Sequence, residues 1–290
     1  MIKHYSLLIL ILVLGVSKMS ARDISQDSCF YDIESALRQP SKVALLSLGH
    51  KDLTKLHDSI QTLPNLVFLS FEYNRLSTLP EWLSKLTKLE TLLLNGNQFE
   101  VFPLVLTKLT SLKTLDVSNN KLTVFPYEIV DLKNLEELFA TDNSLYEIPN
   151  GVYELYKLKK LILRNNQIRY IDRSIAKLGQ LNELCVAKNR LTELPKEIYF
   201  LKKLNYFSFF RNKINVISSS ICELTSLTYI NVLGNEIEVL PNCIMDLPEI
   251  KIVNAGDNNY SEEFIKKYKA SNTKKIDLFL DKNMNESFFH

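Results

Sequence analysis

Apolar residues recur along this chain at a fixed period of 23 positions, from about residue 63 to residue 258. In each unit they alternate with variable residues just before a fixed polar position, and a second apolar group follows it. One unit contains Leu109, Leu112, Leu115, Val117, Asn120, Leu122, Phe125, Pro126 and Ile129. Because the spacing never slips, the pattern indicates one structural unit repeated along the chain and stacked around a shared core.

The fixed polar position is an asparagine in nine consecutive units. These residues are Asn74, Asn97, Asn120, Asn143, Asn166, Asn189, Asn212, Asn235 and Asn258. Asparagine is common where a chain turns, because its amide both donates to and accepts from backbone groups. We therefore interpret all nine as structural residues that satisfy the backbone where each strand ends.

The alternation before each asparagine predicts one short strand per unit. In the last complete unit this strand covers 227–232, with Ile230 and Val232 facing inward and Tyr229 and Asn231 facing outward. Stacking the units then aligns their strands into one parallel sheet.

The full pattern, L-x-x-L-x-x-L-x-L-x-x-N-x-L-x-x-L-P-x-x-I, resembles the leucine-rich-repeat superfamily in its 23-residue leucine-proline form. The likeness covers residues 40–260, about ten repeats, and is greatest to exported bacterial leucine-rich-repeat proteins. It implies an α/β solenoid: a horseshoe with one parallel sheet on its concave face, short 3-10 or irregular convex segments, and a cap at each end.

Proline precedes the convex segment in most units, where its fixed φ and missing N–H are tolerated because no sheet bond is needed. The prolines are Pro80, Pro103, Pro126, Pro149, Pro195 and Pro241. Asp172 and Ser218 stand at this position in two other units. We expect an altered local backbone at both, without a break in the repeat.

A helical cap is predicted over residues 22–39, before the first repeat. Its apolar residues at helical spacing are Phe30, Ile33 and Leu37. Asp27 or Ser28 is expected to cap the start of this helix, and Pro40 marks its exit. Such a cap covers the open end of a repeat core.

A second cap is predicted over residues 261–281. Ser261 can open a helix that continues through Lys269, and a final strand follows. The alternating residues of that strand are Ile276, Leu278 and Leu280. Residues 282–290 have the composition of a loose tail.

The first 21 residues have the pattern of a secretory signal peptide, with Lys3 before an apolar run over 7–16 and small residues after it. The run is well short of the roughly 20 residues of a membrane-spanning helix. Cleavage is expected after Ala21 or after Ser17, and an uncleaved anchor is the alternative. The pattern predicts a secreted or surface protein; without a functional signal, the protein would be cytoplasmic.

Charge and cysteine content add little chemistry. Loss of residues 1–21 would lower the formal charge from +2 to zero, because Lys3 and Lys18 are their only charged residues, so bulk charge does not favour nucleic acid. Cys222 and Cys243 lie at neighbouring convex positions in adjacent units; we prefer two small thiols, with a disulfide as the alternative.

The sequence predicts no catalysis, no cofactor and no metal site. It contains four histidines, and none has a cysteine partner at metal-ligand spacing. No glycine-rich phosphate loop or nucleophile elbow is present.

A protein-binding site is predicted instead on the outward columns of the concave sheet. The candidate residues are Phe139, Ile162, Cys185, Tyr206, Phe210, Tyr229, Leu233, Arg164 and Arg211. Apolar and aromatic side chains grouped on a concave face are typical of a partner site. The alternative is that Tyr206 simply stacks on Tyr229 and stabilises the sheet.

Two functions fit this pattern. The preferred one is a secreted or surface leucine-rich-repeat protein that binds another protein, of unknown identity, through its concave face without catalysis. The alternative is an intracellular signalling scaffold, because the 23-residue leucine-proline repeat is also similar to that of cytoplasmic Ras-pathway scaffolds and plant intracellular repeat proteins.

Overall fold

The computed structural model describes residues 26–270 and 276–280 of the 290-residue chain. The predicted signal peptide, residues 1–21, and the predicted tail, residues 282–290, lie outside the described residues. So do residues 22–25 of the predicted N-terminal cap and residues 271–275 and 281 of the predicted C-terminal cap.

Twelve short parallel strands form one open sheet in strict chain order. The strands are β1 Cys29–Phe30, β2 Leu45–Ser47, β3 Phe68–Ser70, β4 Thr91–Leu93, β5 Thr114–Asp116, β6 Glu137–Phe139, β7 Lys160–Ile162, β8 Glu183–Cys185, β9 Tyr206–Ser208, β10 Tyr229–Asn231, β11 Ile252–Asn254 and β12 Asp277–Phe279. Each repeat contributes three residues, so the strands are shorter than the six residues that the alternation suggests.

Short helical segments return the chain along the convex side. The α-helices are α1 Ile33–Arg38, α2 Asn150–Tyr153 and α3 Glu262–Ala270. The 3-10 helices are Gln26–Ser28, Pro40–Lys42, Asp58–Thr62, Glu81–Lys85, Leu104–Lys108, Tyr127–Asp131, Arg173–Lys177, Lys196–Phe200, Ser219–Glu223 and Asn242–Asp246. A fixed return of this kind brings each strand beside the previous one.

The predicted fold class is confirmed: this is an α/β solenoid, a horseshoe whose single parallel sheet is not closed. Between the sheet and the convex segments lies one continuous apolar core that extends from Phe30 to Leu280. Strand alternation assigns its residues, as Ile230 and Val232, both almost fully buried, illustrate.

The nine asparagines form a ladder of side-chain hydrogen bonds with one repeated geometry. Asn166 Nδ2 donates to the carbonyls of Ala140, at 2.9 Å, and Leu163, at 3.0 Å, while its Oδ1 accepts from Leu145 N at 3.0 Å. The equivalent three bonds recur at all nine positions. The Leu163 carbonyl also accepts from Asn189, so one carbonyl joins two successive rungs.

The two units without proline keep the ordinary convex backbone, so the expected local change at Asp172 and Ser218 is wrong. Their φ and ψ angles, −69° and 151° and −64° and 145°, match those of Pro126, −71° and 157°. Each side chain also accepts a hydrogen bond from the backbone N–H two residues later, at Ser174 and Ser220. A capping side chain thus replaces the restriction that proline imposes.

At the N-terminal end, the predicted helix begins later than expected. Phe30 lies in β1, which pairs with β2, and the helix α1 begins only at Ile33. Asp32, rather than Asp27 or Ser28, caps it by accepting from Ser35 N at 2.7 Å. Phe30 joins the sheet because the edge strand β2 offers unpaired backbone groups, which helical spacing in the sequence does not reveal.

The preferred interpretation of Cys222 and Cys243 as two thiols is wrong, because the two residues form a disulfide. Their Cα atoms are 5.8 Å apart, on the 3-10 helices of adjacent repeats. The sequence separation of 21 residues is close to one repeat, which is why the stacking brings the two side chains together.

Replacing one ladder residue should destabilise the whole fold. In Asn166→Ala, Leu145 N loses its acceptor in a buried turn, and we expect the free energy of unfolding to fall by about 1–3 kcal/mol. Urea denaturation followed by circular dichroism measures this change. Asn150→Ala is the matched control, because Asn150 is exposed on the convex side and its loss should cost no more than about 0.5 kcal/mol. Equal midpoints for the two variants would contradict the role of the ladder.

Candidate binding surface

The concave face presents three columns of outward side chains, and the strand register aligns them across the sheet. Tyr206 pairs with Tyr229, and Ile162 pairs with Cys185. Equivalent residues of neighbouring strands therefore lie about 4.8 Å apart. This spacing brings residues that are 23 positions apart in sequence into direct contact.

Most of the predicted site residues form one group, which we call the aromatic cluster. It consists of Ile162, Cys185, Ala187, Tyr206, Phe210 and Leu233. Cys185, Phe210 and Leu233 are buried within it, so the group exposes less apolar surface than the sequence alone suggests. Phe139, paired with Ile162 in the next strand, is half-buried and lies outside the cluster.

Tyr206, a member of this cluster, stacks face to face on Tyr229 of the next strand, with ring centroids 4.5 Å apart and an interplanar angle of 1°. Asn231 Nδ2 donates to the Tyr229 hydroxyl at 3.1 Å, and this hydrogen bond orients the Tyr229 ring. Burial raises the pKa of both phenols, so both remain neutral donors at physiological pH. The stack stabilises the sheet, and both rings remain half-buried rather than fully covered.

Two cations lie over the Phe210 ring. The Arg164 guanidinium carbon is 5.6 Å from the ring centroid and the Lys188 ammonium is 5.9 Å from it. Ala187 occupies the column between Arg164 and Phe210, and its small side chain leaves room for the arginine to reach across two repeats. Both contacts are within the range of cation–π attraction. The exposed Arg211 directly follows Phe210.

A charged row runs across three neighbouring strands, β6, β7 and β8, of the concave face. Lys160 Nζ lies 3.1 Å from Glu183 Oε1 and 3.7 Å from Glu137 Oε1, on neighbouring strands. All three belong to the first outward column, and the side chain of Lys160 is only 18% exposed. The three side chains pair with one another, so these ion pairs hold the row in place on the sheet.

A second apolar group lies nearer the N-terminus, and it was not predicted from the sequence as part of a site. Leu45, Phe68 and Leu93 are buried together on the concave face, with Cys29 packed against them. The signal was available in the sequence, because Leu45 and Phe68 occupy one outward column and Leu93 occupies the next. These residues bury one another, so the group serves packing at this end of the sheet.

Asp116 is an acidic residue that lies beside the group formed by Leu45, Phe68 and Leu93. It lies in β5, paired with Leu93 on one side and Phe139 on the other. Burial raises its pKa to about 6, and the nearby charge of Glu72 adds to the rise, although Ser118 N donates to its Oδ1 at 2.8 Å. The concave face therefore contains a carboxyl group that titrates close to neutrality.

The residue before each ladder asparagine has a left-handed backbone. Together with His50, which precedes Lys51 at the equivalent position of the first repeat, this column is His50, Tyr73, Gly96, Asn119, Asp142, Asn165, Lys188, Arg211, Gly234 and Asp257, with φ between 49° and 71°. Glycine, asparagine and aspartate tolerate this conformation best, whereas other residues lose about 1 kcal/mol or more. Lys188 and Arg211 therefore occupy strained positions in successive repeats. Sequence reasoning missed Lys188, although the preference of this column for small polar residues is a readable signal.

Family models described as leucine-rich repeat match residues 41–99 and 87–127 of the chain. Among solved structures, an internalin of Listeria monocytogenes superposes with a TM-score of 0.72 at 23% identity, over 88% of this chain and 72% of that one. The chain is a leucine-rich-repeat protein.

Two further structures resemble this leucine-rich-repeat protein. One of Leptospira interrogans has 23% identity and a TM-score of 0.62, with 87% of each chain covered. The ectodomain of a membrane receptor kinase from Arabidopsis thaliana, solved in complex with Casparian strip integrity factor 2, has 26% identity and a TM-score of 0.70, and the match covers 89% of this chain and 32% of that one. Among curated protein sequences, none matches significantly.

The described part of this leucine-rich-repeat protein contains no group of three or more histidine, cysteine, aspartate or glutamate residues arranged to hold a metal ion. Over the same residues, no helix combines the length and apolarity needed to cross a membrane. Its fold is shared with proteins that bind protein or peptide partners, such as the Arabidopsis ectodomain.

The raised pKa of Asp116 should make stability depend on pH in a defined direction. The folded protein binds this proton more tightly than the unfolded chain, so the contribution of Asp116 to stability falls as the pH rises from about 4 to about 6. Asp116→Asn keeps the acceptor for Ser118 N, removes the buried charge, and should raise the free energy of unfolding at pH 7.5 by about 1–3 kcal/mol.

At pH 4.5, where wild-type Asp116 is largely protonated in the fold, the gain should be smaller. Urea midpoints of both proteins at the two pH values measure the difference. A stabilisation that is the same at pH 4.5 and pH 7.5 would show that Asp116 does not titrate in this range.

Proposed function

We propose that this leucine-rich-repeat protein is exported and binds another protein through its concave face, without catalysing a reaction. The main support for this proposal is the aromatic cluster together with the Tyr206 and Tyr229 stack. These residues form an apolar and aromatic surface with cations at its edge. Buried aromatic anchors beside charged side chains are typical of energetically dominant contacts in protein interfaces.

The relatives support an interaction role. The Arabidopsis ectodomain was solved with its factor bound, and proteins of this fold usually serve as interaction scaffolds. The horseshoe also supports the choice of face, because its sheet displays side chains from twelve strands on one rigid surface. A rigid surface reduces the entropy lost on binding.

Export is supported by two observations. The first is the signal-like pattern of residues 1–21. The second is the disulfide between Cys222 and Cys243, since such bonds persist mainly in oxidising compartments. An intracellular scaffold would have to keep this pair reduced.

Loss of the tyrosine stack should weaken partner binding. Truncating Tyr206 and Tyr229 to alanine removes two anchors, and we expect the dissociation constant for a captured partner to rise by about 30-fold. Binding is measured by calorimetry after the partner has been identified by crosslinking on intact cells. Phe200→Ala is the control, because Phe200 is 55% exposed on the convex side. A greater loss with Phe200→Ala would move the site away from the concave face.

Export is tested separately, by fractionating cells and medium and determining the N-terminal residue of the native protein. We expect a start near Arg22 or Lys18 in an extracytoplasmic fraction, with no reactive thiol at Cys222 or Cys243. Retention of Met1 in the cytosol, with both thiols reduced, would favour the intracellular scaffold.

A further inference from the structure

We propose that the concave surface binds an acidic peptide segment, whose carboxylates pair with Arg164, Lys188 and Arg211 while an apolar side chain packs on the half-buried Tyr206 and Tyr229 stack. We call these three basic residues the cationic edge. The inference rests on the proposed function, since it names the chemistry of the partner at the same surface.

Charge is distributed unevenly along the turns that follow the strands. The turns at residues 163–169, 186–192 and 209–215 contain six basic residues and no acidic one. These residues are Arg164, Arg169, Lys188, Arg190, Arg211 and Lys213. Because the three repeats are consecutive, the strands leading into these turns span only about 10 Å. They form a compact positive patch in a chain whose formal charge is only +2.

Acidic turns lie on both sides of this patch. Asp142 follows the preceding strand, and Glu236 and Glu238 follow the next strand beyond it. A long polyanion such as nucleic acid carries phosphates continuously and would meet these carboxylates at either end. A short acidic peptide segment fits the patch without that repulsion.

The patch is also joined to an apolar surface. Arg164 and Lys188 lie over the Phe210 ring, and the half-buried Tyr206 packs in the same cluster. A bound segment therefore meets cations and an apolar group within one contact region. Peptides offer carboxylates and apolar side chains on neighbouring residues, whereas a phosphate polymer or a sulfated sugar offers mainly charge.

Backbone conformation gives an independent reason to assign a function to Lys188 and Arg211. Glycine, asparagine or aspartate occupy six of the ten positions of their column, and His50 and Tyr73 occupy two more as a stacked pair, whereas Lys188 and Arg211 have long cationic side chains at φ values of 51° and 52°. Strain of this kind is concentrated where a side chain is needed for binding. The neighbouring Asn165 and Gly234 fill the same column without long side chains.

The test begins with a displayed library of random 12-residue peptides, selected on the purified full chain. Peptides that lose binding to the Tyr206→Ala, Tyr229→Ala variant are retained as ligands of the concave face. We expect aspartate and glutamate to be enriched in them relative to the input library, next to an aromatic or aliphatic residue. One such peptide is then resynthesised with Asn and Gln in place of its acidic residues.

The decisive variant is Lys188→Asn with Arg211→Asn, since asparagine suits the left-handed backbone. We expect it to bind the acidic peptide at least about tenfold more weakly, to show a smaller salt dependence, and to melt at the same or a higher temperature. Lys133→Asn with Lys266→Asn removes the same charge from exposed positions elsewhere and should leave affinity unchanged. The neutralised peptide should lose the same tenfold on wild-type protein.

Concave-face ligands without acidic enrichment, or unchanged affinity in the Lys188 and Arg211 variant, would overturn this inference and leave the proposed function intact. Failure to select any ligand that depends on Tyr206 and Tyr229 would count against both. Tighter binding of a 20-nucleotide single-stranded DNA or of heparin than of the acidic peptide would assign the patch to a polyanion instead.

Discussion

The fold depends on hydrogen bonding by the ladder asparagines, because the chain leaves each strand through a turn whose backbone groups these side chains satisfy in every one of the nine units. Each amide joins three backbone groups from two repeats, and a carbonyl such as that of Leu163 accepts from two successive asparagines. The parallel register, the continuous core and the columns of the concave face all follow from this repeated constraint. An orphaned polar group in such a turn is costly, which explains why the ladder residue does not vary over nine units.

On the concave face, the same regularity permits variation. Outward side chains have no role in the common core, so each repeat is free to place an aromatic, an acid or a cation at an equivalent position. The result is a sequence of distinct surfaces along one sheet: packed apolar residues, Asp116, the Lys160 ion-pair row and the aromatic cluster. Cations over Phe210 and strained Lys188 and Arg211 distinguish the last surface from simple packing.

The repeat period predicted the fold, the direction of the sheet and the roles of the asparagines, because each depends on contacts between residues at a fixed separation. The errors occurred where the period gives no information. Phe30 joins the sheet edge rather than a helix, and the period places Cys222 beside Cys243 without deciding whether the two sulfur atoms bond. At Asp172 and Ser218, a side-chain cap preserved a backbone that the absence of proline seemed to alter.

The candidate site was only partly readable from sequence, since outward direction can be deduced from alternation but burial cannot. Nothing in the strand pattern shows that Phe210 is covered, because the residues that cover it come from other repeats: Lys188 from one repeat earlier and Arg164 from two repeats earlier. The small size of Ala187, which permits that approach, gains its meaning only when the strands are aligned.

The ladder also determines where the length of a repeat is free to change. Its bonds connect the end of one strand to the turn of the next repeat, but none reaches the convex return, where eight 3-10 helices and α2 complete the described units. An inserted residue in a turn would move the asparagine of that repeat away from its backbone partners, whereas one in the return would leave the concave spacing unchanged and alter only the curvature. Curvature and recognition can therefore evolve as separate properties of the same repeat.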